Sequence, residues 1–282
     1  MRLLVTAGIF WSDNNAEVET YRLNPLSWLL VERVEAEDHT YQKYFVIGTV
    51  SRHYVEAALS LADWFKKDLP MPVPSPFEEL HGVPLLHEDT PKLDPELDRI
   101  VNEGVAAHDN LAIGTIIREC NDVFKGLQSL TDCCGGDGTT ARAIVKAFPG
   151  IKCTVLDLPR VIEKAPADDD AVISYVAGDV FNFIPPAQAD DEDCVKILEQ
   201  CRKAIPSREE GGKVIIIEVV LDHSMEPIMY EAQLLMDMLF LVNCRGRQRG
   251  ENDWREMFMK AGFSDYKIVK KIGTRGIIEV YK

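Results

Sequence analysis

Apolar positions along this chain recur with two different periods, and the change falls near residue 126. From 40 to about 67 they recur at helical spacing (Tyr44, Ile47, Tyr54, Ala58, Leu61, Phe65), the one-sided stripe of an amphipathic helix. Pro70, Pro72, Pro74 and Pro76 then break the chain, because proline lacks the amide proton a helix interior needs. Asp94-Pro95-Glu96 opens a second helix, and Leu97, Val101, Val105, Ile113 and Ile117 predict that it runs toward Cys120 with those side chains inward. Nearer the N-terminus, Leu3, Leu4, Val5, Ile9 and Phe10 suit the end of a helix. Ser12-Asp13-Asn14-Asn15 is turn chemistry, residues 17–23 alternate like a short strand, and Asn24-Pro25 supplies a capping side chain and a first-turn proline.

After residue 126 short apolar runs of strand length take over, at 127–133, 152–156, 171–176, 213–221, 266–272 and 276–281. Helical patterns separate most of them, at 139–148, 191–204, 230–242 and 252–261. Strands alternating with helices predict an α/β fold on a parallel sheet. The last two runs have no helix between them, which predicts an antiparallel hairpin at the end. The domain reading is therefore 1–125 mainly helical and 126–282 α/β, with no internal repeat.

Composition narrows the classes. Apolar residues make up 46% of the 282 and charged residues 27%, an ordinary globular balance that excludes disorder and low complexity. No apolar run is long enough for a membrane span, since the best, 214–220, is interrupted by Glu218. No secretory signal is visible, and a cytoplasmic location is expected. The net charge of −15 repels phosphate backbones and anionic lipid, so neither nucleic acid nor a membrane is an expected partner. The densest basic stretch, Arg245, Arg247 and Arg249, is short and followed by Glu251 and Asp253. Seven cysteines show no CxxC and six histidines no HExxH, so nothing points to a metal, and reduced thiols are expected.

The informative chemistry sits where the first strand meets its helix. Gly136-x-Gly138-x-x-Ala141 satisfies the G-x-G-x-x-G/A pattern in a strand-to-helix setting. Asp157 closes the second strand, where a carboxylate can accept hydrogen bonds from a ribose diol. Asp179 follows the third strand in Ala177-Gly178-Asp179-Val180. Glycine turn, acid and acid at three successive strand ends predict a nucleoside-type cofactor, and both NAD and S-adenosylmethionine fit them. Two features favour the latter. A pyrophosphate wants bare N–H groups at the helix start, yet Asp137 lies in the turn; and the terminal antiparallel hairpin is the methyltransferase arrangement.

Several linked motifs carry a resemblance. These are Asp132 to Gly138, Phe148-Pro149-Gly150 through Val155-Leu156-Asp157-Leu158-Pro159, Tyr175-Val176-Ala177-Gly178-Asp179-Val180-Phe181, Gly211-Gly212-Lys213 through Ile217-Glu218, and Ala261-Gly262-Phe263-Ser264. Together they resemble the plant S-adenosylmethionine-dependent O-methyltransferases of the caffeate and flavonoid type, over nearly the whole chain. The resemblance implies a Rossmann-like sheet preceded by a partial winged-helix dimerisation region, a small phenolic substrate and a homodimer. It places Cys134, Gly135 and Gly136 beside the methionine part of the cofactor, Asp157 on the ribose, and Asp179 with Val180 at the adenine. Glu218 matches the acid that flanks a catalytic histidine, and Asn243 a polar residue near the phenol.

The chain departs from that family in three ways. Cys134 stands where the family has glycine, and Asp137 where it usually has threonine. Gln248 replaces a second supporting acid and cannot stabilise an imidazolium by charge. Pro185-Pro186-Ala187-Gln188-Ala189-Asp190 runs straight into Asp191-Glu192-Asp193-Cys194, whereas the family has a strand and a Leu-His-Asp-Trp-like segment between them. The catalytic histidine, its neighbouring aspartate and a cofactor-contacting lysine are absent from the sequence. His223 is nearest in chain order to Glu218, but it is expected to be a solvated loop residue. Impaired catalysis is the expectation, or a non-catalytic paralogue that binds cofactor or a partner. The missing strand is expected to be replaced by residues 213–221 moving in beside the first strand. The family's first helices would precede Met1, so a weakened dimer is expected.

Overall fold

The computed structural model of the chain describes residues 1–13, 19–32, 41–69, 73–85, 89–163, 165, 172–178, 191–244 and 246–282. At its start the helix Arg2–Thr6 leads into an antiparallel hairpin, β1 (Phe10–Asp13) on β2 (Thr20–Leu23). Phe10, Ser12 and Asp13 thus belong to a strand and not to a helix end and a turn. Cross-strand pairing with Leu23, Tyr21 and Thr20 overrides the local turn preference of Ser and Asp. Asn14 and Asn15 lie outside the described residues. Asn24 caps the helix Pro25–Trp28, its Oδ1 accepting from the Leu26 and Ser27 amides at 3.0 Å each.

The predicted helix at 40–67 is three pieces, Lys43–Thr49, Arg52–Leu59 and Leu61–Trp64. Ser51 makes the first break, because its hydroxyl accepts from the Tyr54 amide and starts a new N-terminus. The next helix, Pro95–Asp109, is capped by Asp94 as expected, but it stops short of Cys120. Ala112 adopts φ +65°, and a separate helix Ile113–Glu119 follows. The stop is built by side chains that satisfy the terminal carbonyls. Asn110 Nδ2 donates to the Ala106 carbonyl, and Arg275 donates to those of His108 and Asp109. Leu97, Ile113 and Ile117 are buried as expected, whereas Val105 is exposed.

In the α/β part the six expected strands form within one or two residues of their predicted limits. β3 (Ser129–Cys133), β4 (Lys152–Asp157) and β5 (Ile173–Ala177) make a parallel sheet in that order, with Thr131 opposite Thr154 and Val155 opposite Tyr175. β6 (Val214–Leu221), β7 (Arg249–Gly250), β8 (Asp265–Ile272) and β9 (Arg275–Tyr281) make a second sheet, in the order β7-β6-β9-β8. The β8–β9 antiparallel hairpin is the one predicted, and the two-residue β7 carries too little pattern to be foreseen.

One expectation is overturned. β6 does not move in beside β3: it pairs with β9 on one side and, at its C-terminal end, with β7. Among the described residues, β3 therefore pairs only with β4. The cost is visible in its burial. A strand that is central in the expected topology has Ser129, Thr131 and Cys133 exposed and Leu130 and Asp132 only half-buried. The expected replacement underestimated what already holds β6, six registered positions on β9 and a packed face against the helices Asp191–Ala204 and Glu251–Lys260.

Two cores flank the sheets. One gathers Ile116, Val123, Phe124, Ala141, Ile144, Val155 and Ile277; the other gathers Leu198, Val220, Trp254, Phe258, Ile278 and Val280. A third, around Ala57, Phe77 and Leu97, takes in Val242 from the helix Pro227–Cys244. Ile113–Glu119 and Asn121–Phe124 are thus buried with the parallel sheet, although they precede residue 126.

Candidate functional site

The turn after β3 is forced into shape by its own sequence. Cys134, Gly136 and Gly138 all have positive φ, at 60°, 59° and 81°. Gly138 suits this at no steric cost, whereas Cys134 holds a conformation L-residues rarely adopt. Its amide donates to the Leu156 carbonyl at 2.8 Å, which fixes it to the adjacent strand. Gly135 is required for a different reason: a Cβ there would lie 2.7 Å from Cγ and Oδ2 of Asp132. A Cβ on Gly138 would meet the Tyr175 hydroxyl at 2.6 Å. Around Gly136, by contrast, there is open space, on the side where a ligand can approach the backbone.

Asp157 closes against this turn. One carboxylate oxygen accepts from the Gly136 amide at 2.8 Å and the other from the Leu158 amide at 2.7 Å. The carboxylate is thus oriented by backbone, with lone pairs left for a diol. Asp137 is turned away from this centre. It accepts from the Thr139 amide and hydroxyl and pairs with Arg142 at 3.1 Å, which offsets its charge at the start of the helix Thr139–Ala147. Tyr175 completes that lock by donating to the Asp137 carbonyl.

Sequence reasoning passed over Asp132, the innermost acid. Its Oδ2 is buried without a hydrogen-bond partner, and burial, reinforced by Asp157, Asp109 and Asp137, pushes its carboxyl up to about 6. The Cys134 thiol is likewise pushed up to about 12, by burial first and then by Asp157, Cys133, Asp132 and Asp109. The centre is therefore a pocket of negative potential, the complement of a cationic ligand. Its spacing signal was present, since Asp132 lies one pleat before the turn, but alternation alone does not tell an inward acid from an exposed one.

Glu218 sits on β6, opposite Gly276 of β9. Burial raises its carboxyl, while the Val219 amide, donating to its Oε1 at 2.7 Å, and the nearby Arg275 pull the other way. His108 and Asp109, at the end of Pro95–Asp109, also lie in its field, so Asp109 faces both halves of the site. His108 lies beside this acid, and its Nδ1 is shared between Arg275 Nη2 at 3.0 Å and Asp109 Oδ1 at 3.3 Å, so that nitrogen is already occupied by the fold. His223 is exposed on the loop after β6, as expected.

The remaining predicted residues divide. The Asn243 Oδ1 is buried with no partner, an unsatisfied acceptor at the end of Pro227–Cys244. Its backbone carbonyl is held by Ser75 Oγ. Gln248 is buried, its amide donating to Asp237. Arg247 and Arg249, the basic stretch of the sequence, are both tied to Asp191 and form no open patch. Arg245, Asp179, Val180 and residues 185–190 lie outside the described residues. Among the described residues no cluster of His, Cys, Asp and Glu has metal-binding geometry, and no helix is long and apolar enough to cross a membrane.

The glycine turn, the strand-end acid and the terminal hairpin are the marks of one family, and a family comparison agrees: the O-methyltransferase domain matches residues 59–264. The chain belongs to the O-methyltransferase family. It is 73% identical over 297 aligned positions to "Probable O-methyltransferase 2" of Sorghum bicolor, covering all of this chain and 79% of the relative. It is 59% identical to "Daphnetin O-methyltransferase 1" of Secale cereale, covering all of this chain and 82% of that one. Among solved structures, human N-acetylserotonin methyltransferase in complex with SAM shares the fold, with TM-score 0.76 at 20% identity, over all of this chain and 81% of that one. The sorghum alignment spans 297 positions against 282 residues, so about 15 positions of that relative have no counterpart in this O-methyltransferase chain.

S-adenosyl-L-methionine is the cofactor of this family, and the residues present fit it. The open face of Gly136, the backbone-oriented Asp157 and the unneutralised Asp132 offer approach, a diol acceptor and negative potential for a sulfonium and an ammonium.

Proposed function

We propose that this chain binds S-adenosyl-L-methionine at the 132–138 turn and methylates small phenolic hydroxyls of phenylpropanoid or flavonoid type, with catalysis impaired. The 132–138 turn is the observation that carries the reading. In it Cys134, Gly135 and Gly136 lie along the methionine part, Asp157 takes the ribose diol, and Asp179 with Val180 faces the adenine. When bound, the cofactor supplies an electrophilic methyl group. The chain's own contribution is to exclude water, hold the phenol in line and hold the cofactor's positive charge beside Asp132. Asn243, with its unsatisfied buried acceptor, holds a phenolic or neighbouring hydroxyl. The daphnetin and flavonoid methyltransferases among the relatives support a phenolic acceptor.

Proton removal is the weak step. Glu218 and Gln248 stand where acids support a histidine base in the family, but the histidine segment is missing from the sequence. The Nδ1 of His108 is taken up by Arg275 and Asp109. Loss of a general base costs roughly 100- to 10,000-fold, so only acidic phenols, already ionised near neutral pH, remain good acceptors. A non-catalytic paralogue that binds cofactor or a partner is the second reading, favoured by the edge of β3 beside the cofactor turn, which among the described residues pairs only with β4 on its other side.

The reading includes a homodimer, supported by exposed apolar side chains on the helical part, with Leu59 at 79%, Phe65 at 68% and Val50 at 66%. It includes a cytoplasmic location, in keeping with free thiols. Calorimetry with S-adenosyl-L-methionine and transfer of labelled methyl groups to a panel of catechols and flavonols test it. Binding with slow transfer that rises with acceptor acidity is expected. Binding with no transfer selects a cofactor-binding paralogue, and no binding removes the first reading and leaves only a paralogue that binds a partner.

A further inference from the structure

The chain changes direction where the helical part meets the cofactor helix, and two side chains pin that corner. The helix Pro95–Asp109 ends at Asn110, and a separate helix starts at Ile113. Between them Ala112 holds φ +65°, a conformation that a residue with a Cβ rarely adopts. Thr140 reaches this corner from the other side. It lies in the first turn of Thr139–Ala147, the helix that Gly138 opens directly after the cofactor turn. Its Oγ1 donates to Asn110 Oδ1 at 2.9 Å, across 30 residues of sequence. The other end of the same amide is also used, since Asn110 Nδ2 donates to the Ala106 carbonyl at 2.7 Å. A flipped amide would lose both bonds, so Asn110 has one orientation.

Apolar packing at the corner cannot do what this bond does. Ala141 and Ile144 of the cofactor helix share a core with Ile113 and Ile117. Such packing is non-directional and leaves one helix free to slide on the other, whereas a hydrogen bond fixes the register. Arg275 adds a second tie from β9, through the carbonyls of His108 and Asp109. At its other end the helix carries Leu97, which shares a core with Val242, the neighbour in sequence of Asn243. Pro95–Asp109 therefore runs from the neighbourhood of the candidate acceptor residue to the cofactor turn.

We propose that Thr140 and Asn110 are positioning residues for methyl transfer, whose hydrogen bond carries the occupancy of the 132–138 turn to the corner at 110–112, so that a bound cofactor orders the end of Pro95–Asp109 before the acceptor enters; this rests on the reading that the cofactor binds at that turn. The physical route is short. A ligand on the open face of Gly136 fixes the backbone that starts Thr139–Ala147, and with it Thr140. A fixed donor restricts Asn110, and an acceptor that meets an already ordered helix end loses less entropy on binding. By linkage the acceptor tightens the cofactor by the same factor. A part-buried bond between neutral groups supplies roughly a 3- to 10-fold effect.

Hydrogen exchange of the full chain, with and without S-adenosylhomocysteine, reads the coupling, and calorimetry with the same compound reads binding. The reporters are the amides of Asn110, Leu111 and Ile113, which donate to the carbonyls of Ala106, His108 and Asn110. In the wild type the compound is expected to slow their exchange about 3- to 10-fold. Thr140→Val keeps the shape and removes the donor, so the slowing is expected to persist at 132–138 and vanish at 110–113. Thr140→Ser restores it. Heat of binding without slowing at 110–113 in the wild type overturns the proposal alone, a readout that needs no variant to fold. So does Thr140→Val that exchanges faster at 110–113 yet is slowed by the compound as much as the wild type, the mark of a merely structural contact. No heat of binding overturns the cofactor reading, and this inference with it.

Discussion

Replacing Arg275 with methionine is the sharpest test of how the helical part is held over the cofactor sheet. Arg275 opens β9 opposite Val219 and is 8% exposed. Its guanidinium donates to the Asp109 carbonyl at 2.8 Å, to the His108 carbonyl at 2.6 Å and to His108 Nδ1 at 3.0 Å. The two carbonyls close the helix Pro95–Asp109; that of His108 also accepts from the Leu111 amide at 3.1 Å, so Arg275 is the donor that the Asp109 carbonyl depends on. Methionine keeps the apolar stem and removes all three donors. A hydrogen bond from a charged group nets about 1.5–3 kcal/mol, and because both acceptors are only part-buried the lost bonds themselves carry the effect. The Asp109 carboxylate, 3.9 Å away with a side chain 64% exposed, adds little. Counting the two carbonyl bonds gives a loss of about 3–5 kcal/mol, and roughly 10 °C in Tm for a chain of this size.

Urea unfolding followed by tryptophan fluorescence reads the loss, with Arg22→Ala as the reference. Arg22 pairs with Asp13 at 3.6 Å, but its side chain is 66% exposed, so that change is expected to cost less than about 0.5 kcal/mol. If Arg275→Met costs no more than Arg22→Ala, the carbonyls have other partners and the argument fails.

Three further outcomes follow from the site. Gly136→Ala meets open space, so stability falls by only about 1–2 kcal/mol for the positive φ, while S-adenosyl-L-methionine affinity by calorimetry drops more than tenfold; unchanged affinity places the ligand elsewhere. The Asp132 carboxyl, pushed up to about 6, keeps its proton in the folded state after the unfolded chain has released it near pH 4. Stability therefore falls by roughly 2–3 kcal/mol as pH rises from about 4 to 6, and Asp132→Asn flattens that slope in pH-dependent denaturant titrations. Inserting a family-type Leu-His-Asp-Trp-like segment between Asp190 and Asp191 is expected to raise methyl transfer about 100-fold or more by supplying a base, and transfer unchanged by the insertion places the deficit elsewhere.

How much of this was legible in the sequence varies by element. The strands and helices after residue 126 follow from periodicity, because strands that feed one packed sheet carry continuous apolar runs such as 214–217. Cys134, Gly135, Gly136 and Asp157 were found together because the turn is local: each acts on residues near it in sequence or one strand away. The misplaced features are nonlocal. The break at Asn110 depends on Arg275, far along the chain, which takes the carbonyls that would otherwise continue the helix. The strand at Phe10–Asp13 depends on its partner β2. Asp132 and the His108–Arg275 contact were invisible for the same reason, since burial and tautomer are set by neighbours that no local pattern names.

Among the described residues no strand pairing joins β3 to β6, which raises the question of what holds the two sheets together. The apolar positions of β9 answer it. Ile277 lies in the core shared with Ala141, Ile144 and Val155, and Ile278, on the opposite face, lies with Val220, Trp254 and Phe258. Ile215 and Ile217 of β6 and Leu130 of β3 pack against the first of these cores. Cohesion across the gap is therefore carried by side chains, which are non-directional and tolerate a missing strand, and not by a hydrogen-bond ladder, which does not. The chemistry lacks that tolerance. A proton acceptor must lie within hydrogen-bond reach of the proton it takes, so on the proposed reading the half-buried Glu218 is left without the histidine segment that its place in the family implies.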